Sequence, residues 1–195
     1  MKKKNIVFAT YNAHKLEEMR QILLHYKILG LSDIGIVEDI AETGHTLEEN
    51  ALIKAQYLFD KTGKPSFSED TGLEVDSLHG APGVHTARYA GAGRDPNENM
   101  DLLLKNIKNH KDRSAQFRTV IAYLSEDEPR FFEGVVRGRI AEKKCGVGGF
   151  GYDPVFIPDG FDVTFAELGK DIKNKISHRA LAMKYLVEYL ERATF

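Results

Sequence analysis

The spacing of apolar residues changes along the chain, and each change predicts an element. Asn5 to Ala9 holds the unbroken run Ile6, Val7 and Phe8, as a short buried strand does. From Lys15 to Leu24 the spacing lengthens. Leu16, Met19, Ile22 and Leu23 fall at helical intervals with charges between them, and Ile34 to Val37 predicts a second strand. Thr46 opens a strong helix. Thr46 and Glu49 form the S/T-x-x-E capping box, Leu47, Ala51, Ala55, Leu58 and Phe59 make one stripe, and Gly63 ends it. A turn at Lys64-Pro65 leads into a strand that breaks at Glu69-Asp70 and resumes with Leu73 and Val75. Asp95-Pro96 starts the next helix, with Pro at its first position and Met100, Leu103, Leu104 and Ile107 following. Two long strands, Ala115 to Leu124 and Arg130 to Ile140, flank the turn Glu126-Asp127-Glu128-Pro129; Phe117, Thr119, Ile121 and Tyr123 alternate with Arg118, Val120 and Ala122. Ser177 caps a last helix with Ala180, Met183, Leu186 and Leu190 on one side. This order predicts an α/β fold, a central mixed β-sheet flanked by helices.

Length and composition narrow the picture. At 195 residues with 42% hydrophobic content, the chain is expected to form a single domain spanning 1–195. It has 27 basic and 29 acidic side chains, a formal net charge of -2, which argues against a general nucleic-acid or anionic-membrane binder. The single cysteine, Cys145, points to a reducing compartment. The run Ile6 to Ala9 is too short for a signal peptide, and no stretch approaches the ~20 apolar residues of a membrane span. A cytoplasmic protein is expected.

Four places carry candidate chemistry. Thr10, Asn12 and Lys15 lie between the first strand and helix, where unpaired amides and a positive helix end suit phosphate; a plain N-cap and a surface charge would read the same. Glu69 and Asp70 stand side by side. With Glu42, Glu48 and Glu49 they offer hard oxygen ligands for Mg²⁺, or else a solvated turn, and Glu49 has a structural excuse in its capping box. Lys54 lies on the same helix as Glu49. Gly148-Gly149-Phe150-Gly151-Tyr152-Asp153-Pro154 combines permissive backbone, two flat aromatic faces and an acceptor, features of a base site or of a glycine turn with core aromatics. Lys173, Ser177, His178 and Arg179 put two cationic donors in the first turn of the last helix, which is unfavourable beside a positive helix end unless an anion or a carbonyl-rich ring docks there. Neither G-x-x-x-x-G-K-[ST] nor G-x-G-x-x-G follows the first strand. Together these are the parts of a Mg²⁺–nucleoside triphosphate site.

At these residues the chain resembles the inosine triphosphate pyrophosphatase family, which removes deaminated purine nucleotides. The matching strings are FATYNAHKLEEM, ENALIKA, SEDTGLEVDSLHGAPGVHTARYAG, GGFGYDPVFIPDG, TFAEL and KNKISHRALAMKYL, and they run nearly end to end. The resemblance implies an elongated two-lobed fold, an active site in the cleft between lobes, and a homodimer. It puts the phosphate loop on Thr10, Tyr11, Asn12, Ala13, His14 and Lys15, and the metal on Asp70 and Glu42 with Glu49 nearby. Asp70 is implied as proton acceptor, with Glu69 assisting and Lys54 helping on phosphate. Nucleoside contacts fall on Thr71, Phe150, Gly151, Tyr152, Asp153, Lys173, His178 and Arg179. Tyr11 stands where glycine is common in the family, and its side chain would narrow the mouth of the phosphate loop. The implied reaction converts ITP, dITP or XTP to the monophosphate and pyrophosphate. A septum-type pyrophosphatase for modified pyrimidine nucleotides and a non-catalytic nucleotide binder are the alternatives.

Overall fold

The computed structural model describes residues 3–11, 13–38 and 40–192. Strand β1 (Lys4–Phe8) runs parallel to both β2 (Tyr26–Leu29) and β3 (Ser66–Val75). Parallel neighbours need a crossover. Helix α1 (Ala13–Ile22) makes the first, and α2 (Leu47–Thr62) lies on the way to β3. Phe8 pairs with Phe67 in register, and their rings stack with centroids 4.4 Å apart. The chain continues through β4 (Pro82–Gly83), α3 (Pro96–Ile107), β5 (Ser114–Leu124), β6 (Arg130–Ile140) and β7 (Phe156–Pro158). It ends with α4 (Phe165–Leu168), α5 (Lys170–Ile176) and α6 (His178–Arg192). Among the described residues the sheet order is β2-β1-β3-β5-β6-β7, with β4 antiparallel to β3 and β7 antiparallel to β6. The sheet is therefore mixed, as the order of elements predicts.

The described residues fall into two compact units. One draws on Met1–Asp70, Val120–Phe132 and Met183–Phe195, the other on Thr71–Thr119 and Glu133–Ala182. In the first, Val7, Ala9, Leu31, Ile36 and Leu58 form a buried cluster, with Ile34, Ile40 and Tyr57 packed against it. In the second, Leu73, Val75, Met100, Leu103, Ile107, Phe117, Ile140 and Phe156 belong to a larger one. At about 25 cal/mol per Å² of apolar surface removed from water, such clusters supply the main drive for each unit.

Two expectations are corrected. Ile34 to Val37 is not a strand: Ser32–Ile34 is a single 3₁₀ turn closed by Gly35 at φ 73, a conformation glycine adopts without penalty. Ile34 and Ile36 still enter the core, so their apolar character serves packing. The strand lies earlier, at Tyr26–Leu29. Strand β3 also does not break at its acids; it runs unbroken from Ser66 to Val75. Glu69 is 4% exposed within it, and the neighbouring Ser68 hydroxyl donates to Ala51 O at 2.6 Å.

Candidate active site

In the first unit, a cavity of about 220 Å³ is lined by Thr10, Tyr11, Lys15, Glu42, Lys54 and Glu69, with Ile40 among its apolar walls. Local sequence explains why these groups converge. β1 ends at Phe8, so Thr10 and Tyr11 fall on the turn into α1, and Lys15 on that helix's first turn. Thr46 caps α2, accepting from Glu49 N at 3.1 Å. The Glu49 carboxylate does not complete the expected box on Thr46. It accepts instead from His45 N at 2.6 Å and is exposed.

Lys54 is the hub of this unit. Its Nζ lies 2.6 Å from Glu42 Oε1, 2.9 Å from the Glu69 carbonyl oxygen and 3.7 Å from Asp70 Oδ1. Lys15 pairs with the buried Glu69 carboxylate. A buried carboxylate must be paired or hydrogen-bonded to stay charged, and Lys15 meets that need. Asp70 is held from its other side by Asn50, whose Nδ2 donates to Oδ2 at 3.2 Å. Asn50 is fully buried and its Oδ1 accepts from Gly44 N at 2.8 Å. Sequence reasoning passed over Asn50. The signal was present, since a polar residue three positions after Leu47 sits on the apolar stripe of α2. Among the described residues no group of three or more His, Cys, Asp or Glu side chains is gathered as a metal centre. Asn12 lies outside the described residues, as do the side chains of Ala13 and His14.

In the second unit, Lys173 and Asp153 form an ion pair with side chains only 9% and 2% exposed. Asp153 Oδ2 also accepts from Phe150 N at 2.8 Å. Gly149, at φ +75, lies against this carboxylate: a Cβ there would come within 2.1 Å of Asp153 Oδ2. No other residue fits both constraints. Phe150 is 53% exposed, with Lys173 Nζ 4.1 Å and Arg179 Cζ 5.4 Å from its ring centroid. Gly151 follows at φ +60.

Tyr152 is buried in the core and its hydroxyl donates to Thr86 O at 2.9 Å. Burial pushes its phenol well above the usual range, with Tyr89 adding to the shift. The ring open to a ligand is therefore Phe150. His178 and Arg179 occupy the first turn of α6, behind the cap in which Ala180 N donates to Ser177 Oγ at 3.2 Å. The His178 ring stacks on Phe117 at 4.6 Å. Thr71 and Thr119 share a hydroxyl hydrogen bond of 2.7 Å.

The described residues thus form a mixed-sheet α/β protein with carboxylates and lysines around one pocket and cations around an exposed ring. The chain matches the Ham1 family over residues 6–189. It is 48% identical over 188 residues to the dITP/XTP pyrophosphatase of Christiangramia forsetii, which covers 96% of this chain and 99% of that protein. It is 50% identical over 187 residues to the dITP/XTP pyrophosphatase of Porphyromonas gingivalis, covering 95% and 96%. The solved Ham1 protein of Staphylococcus aureus superposes with a TM-score of 0.93 at 40% identity, covering 97% of this chain and all of that one. A HAM1 protein from Coxiella burnetii gives 0.93 at 38%, covering 97% and 99%. The chain belongs to the Ham1 family.

Proposed function

We propose that this protein hydrolyses non-standard purine nucleoside triphosphates, ITP, dITP and XTP, to the monophosphate and pyrophosphate. The observation that carries the reading is Lys54: one ammonium group held by Glu42, the Glu69 carbonyl and Asp70 at the edge of a small pocket. The similar dITP/XTP pyrophosphatases of Christiangramia forsetii and Porphyromonas gingivalis supply the substrate class.

The oxygens around Lys54 are hard donors, and a cation already stands among them. This donor set fits Mg²⁺, which prefers carboxylates, phosphate oxygens and water. Asp70 and Glu42 would hold the ion. Glu49, engaged on His45 N, is the weaker candidate. When bound, Mg²⁺ neutralises charge on the phosphate oxygens and on departing pyrophosphate. The chain's own groups do the rest. Lys15 and Lys54, with Thr10 and the amides around Tyr11, hold phosphate oxygens. Asp70, oriented by Asn50 and assisted by Glu69, accepts a proton from water as its oxygen bonds to the α-phosphorus. The bond from that phosphorus to the bridging oxygen breaks, and pyrophosphate leaves with the electron pair.

Phe150, half exposed and with Lys173 and Arg179 beside its ring, offers an aromatic surface for the base. Thr71, Gly151 and Tyr152 shape the surroundings. Asp153 is engaged with Lys173 and Phe150 N, so it positions those groups while leaving its other oxygen for a ring N–H. Arg179 and His178 donate to a 6-keto oxygen, which hypoxanthine and xanthine carry and adenine lacks. The setting this reading implies is a single catalytic domain working as a homodimer in the cytoplasm. Among the described residues no helix is long and apolar enough to cross a membrane. Pyrophosphate release from ITP, with and without EDTA, tests the proposal. Release that needs a divalent ion and exceeds release from ATP and GTP supports it; equal rates on ATP and ITP sink the specificity, and no release sinks the activity.

A further inference from the structure

Tyr11 is tied down by a contact that lies outside the chemistry proposed above. Its hydroxyl donates to the backbone oxygen of Glu38. The Glu38 carboxylate in turn accepts from the Tyr57 hydroxyl at 3.0 Å through Oε1 and from Val37 N at 3.2 Å through Oε2. Tyr57 sits on α2 three residues after Lys54, one helical turn along. Its ring packs on the cluster of Val7, Ala9, Leu31, Ile36 and Leu58, and Lys61 Nζ stands 5.5 Å from its centroid. The Glu38 carboxyl is held below its ordinary range, first by a backbone amide and then by the Tyr57 hydroxyl, so it stays an ionised acceptor at neutral pH.

Each end of this chain of contacts reaches the pocket. Tyr11 lines it directly, and so do Ile40 and Glu42, two and four residues beyond Glu38. Lys54, on the helix that carries Tyr57, is the pocket's central cation. We propose that Tyr57, Glu38 and Tyr11 form a clasp that fixes the phosphate-binding turn and the Glu42 wall at a set separation, so that polyphosphate meets a preorganised site. Tyr57 and Glu38 are positioning residues, acting through Tyr11 and Glu42. Preorganised groups avoid ordering costs when a ligand binds. A clasp of this kind acts on binding more than on the bond-breaking step, and it is indifferent to the base. It also explains how a bulky, half-exposed tyrosine is accommodated at the mouth of the turn: the side chain is used as a fastener.

This inference rests on the function proposed above, and the test separates the two. Tyr57→Phe keeps the packed ring and removes only the hydroxyl. Glu38→Ala removes the Tyr57 link and leaves the backbone acceptor of Tyr11. Glu38→Gln keeps an acceptor for Tyr57 and serves as the conservative rescue. Loss of one hydrogen bond corresponds to roughly threefold to tenfold in binding. The expected result is a KM for ITP raised by about that factor in Tyr57→Phe and Glu38→Ala, kcat within about twofold, and an unchanged ITP-to-ATP ratio. Glu38→Gln returns KM toward wild type. Combining Tyr57→Phe with Tyr11→Phe is less than additive, since both break one chain of contacts. Calorimetric binding of inorganic tripolyphosphate gives the readout that does not depend on the base or on turnover, and it shows the same weakening. Should wild type bind tripolyphosphate but release no pyrophosphate from ITP, the function fails and the clasp is still judged by the variants. Unchanged tripolyphosphate affinity in Tyr57→Phe and Glu38→Ala, equal losses confined to kcat, or no tripolyphosphate binding by wild type overturns the clasp.

Discussion

Lys54 Nζ stands 2.6 Å from Glu42 Oε1, on a lysine side chain only 12% exposed. An ammonium in that position does what a bound divalent ion would do: it offsets carboxylates that are partly withdrawn from water. Glu42 and Asp70 are 30% and 15% exposed, and Lys54 faces both. Removing the lysine leaves two acids with diminished compensation.

Lys54→Met therefore destabilises the protein. A charge-assisted contact of this kind contributes about 2 kcal/mol, which for a chain of this size lowers Tm by about 4–8 °C. Added Mg²⁺ recovers part of the loss, because the ion can stand among the same oxygens. Thermal melts of wild type and variant, in EDTA and in millimolar Mg²⁺, check this. A variant whose Tm ignores Mg²⁺ would count against these carboxylates as the ion's ligands.

Asp70→Asn changes charge and leaves shape nearly intact. The fold should persist, since the Asn50 amide still finds an oxygen at position 70. Catalysis should fall by roughly 10²-fold or more in kcat, the scale of losing a positioned base. Steady-state rates on ITP at saturating Mg²⁺ provide the measurement, with circular dichroism to verify folding. A variant turning over at near wild-type rate would remove Asp70 from the role of proton acceptor.

The long elements were legible in sequence because their apolar spacing was regular. Helix α2, with its Thr46 cap and Gly63 end, and strands β5 and β6 are where periodicity put them. What was not legible depended on partners distant in sequence. Tyr26–Leu29 is four residues with Lys27 inside it, and it becomes a strand by pairing with β1. The run Glu69-Asp70 looked like a break because charges rarely enter a strand; Lys15 and Lys54 make it tolerable. Short elements such as β4 and α4 carry too few residues for any period. For the site, residue types flagged the acids, lysines and Phe150. Asn50 left a trace in sequence, as a polar residue on the apolar stripe of α2; Glu38 and Tyr57 needed coordinates, since only their contacts distinguish them from ordinary polar residues on a helix or loop.

Tyr152 gives an alkaline signature. Its phenol is pushed up by burial, so the folded form keeps its proton to higher pH than the unfolded form, which releases it near pH 10. The sign follows: this group's share of stability is whole below about pH 10 and is lost as pH climbs toward the folded value. Tyr152→Phe should flatten the fall in urea midpoint from about pH 10 upward, even though it forfeits the hydrogen bond to Thr86 O. An unaltered slope would mean the alkaline loss arises at other groups.

Arg179 carries the last prediction. It is 5% exposed, in the first turn of α6, with its Cζ 5.4 Å from the Phe150 ring. A cation beside a positive helix end is held against the local field, so its position favours a ligand that accepts hydrogen bonds. A 6-keto oxygen accepts and a 6-amino group does not, so the keto base gains a charge-assisted hydrogen bond that adenine forgoes, worth about 1.5–3 kcal/mol. Arg179→Met should reduce the ratio of kcat/KM for ITP over ATP by roughly tenfold to a hundredfold. The reduction should come mainly from poorer use of ITP, because the lost contact is one that only the keto base made. Competition assays with both nucleotides in one tube measure the ratio directly. If it stays at the wild-type value while ITP turnover falls, Arg179 acts on something common to both substrates, and the choice of base must be made at His178 or at the Phe150 face.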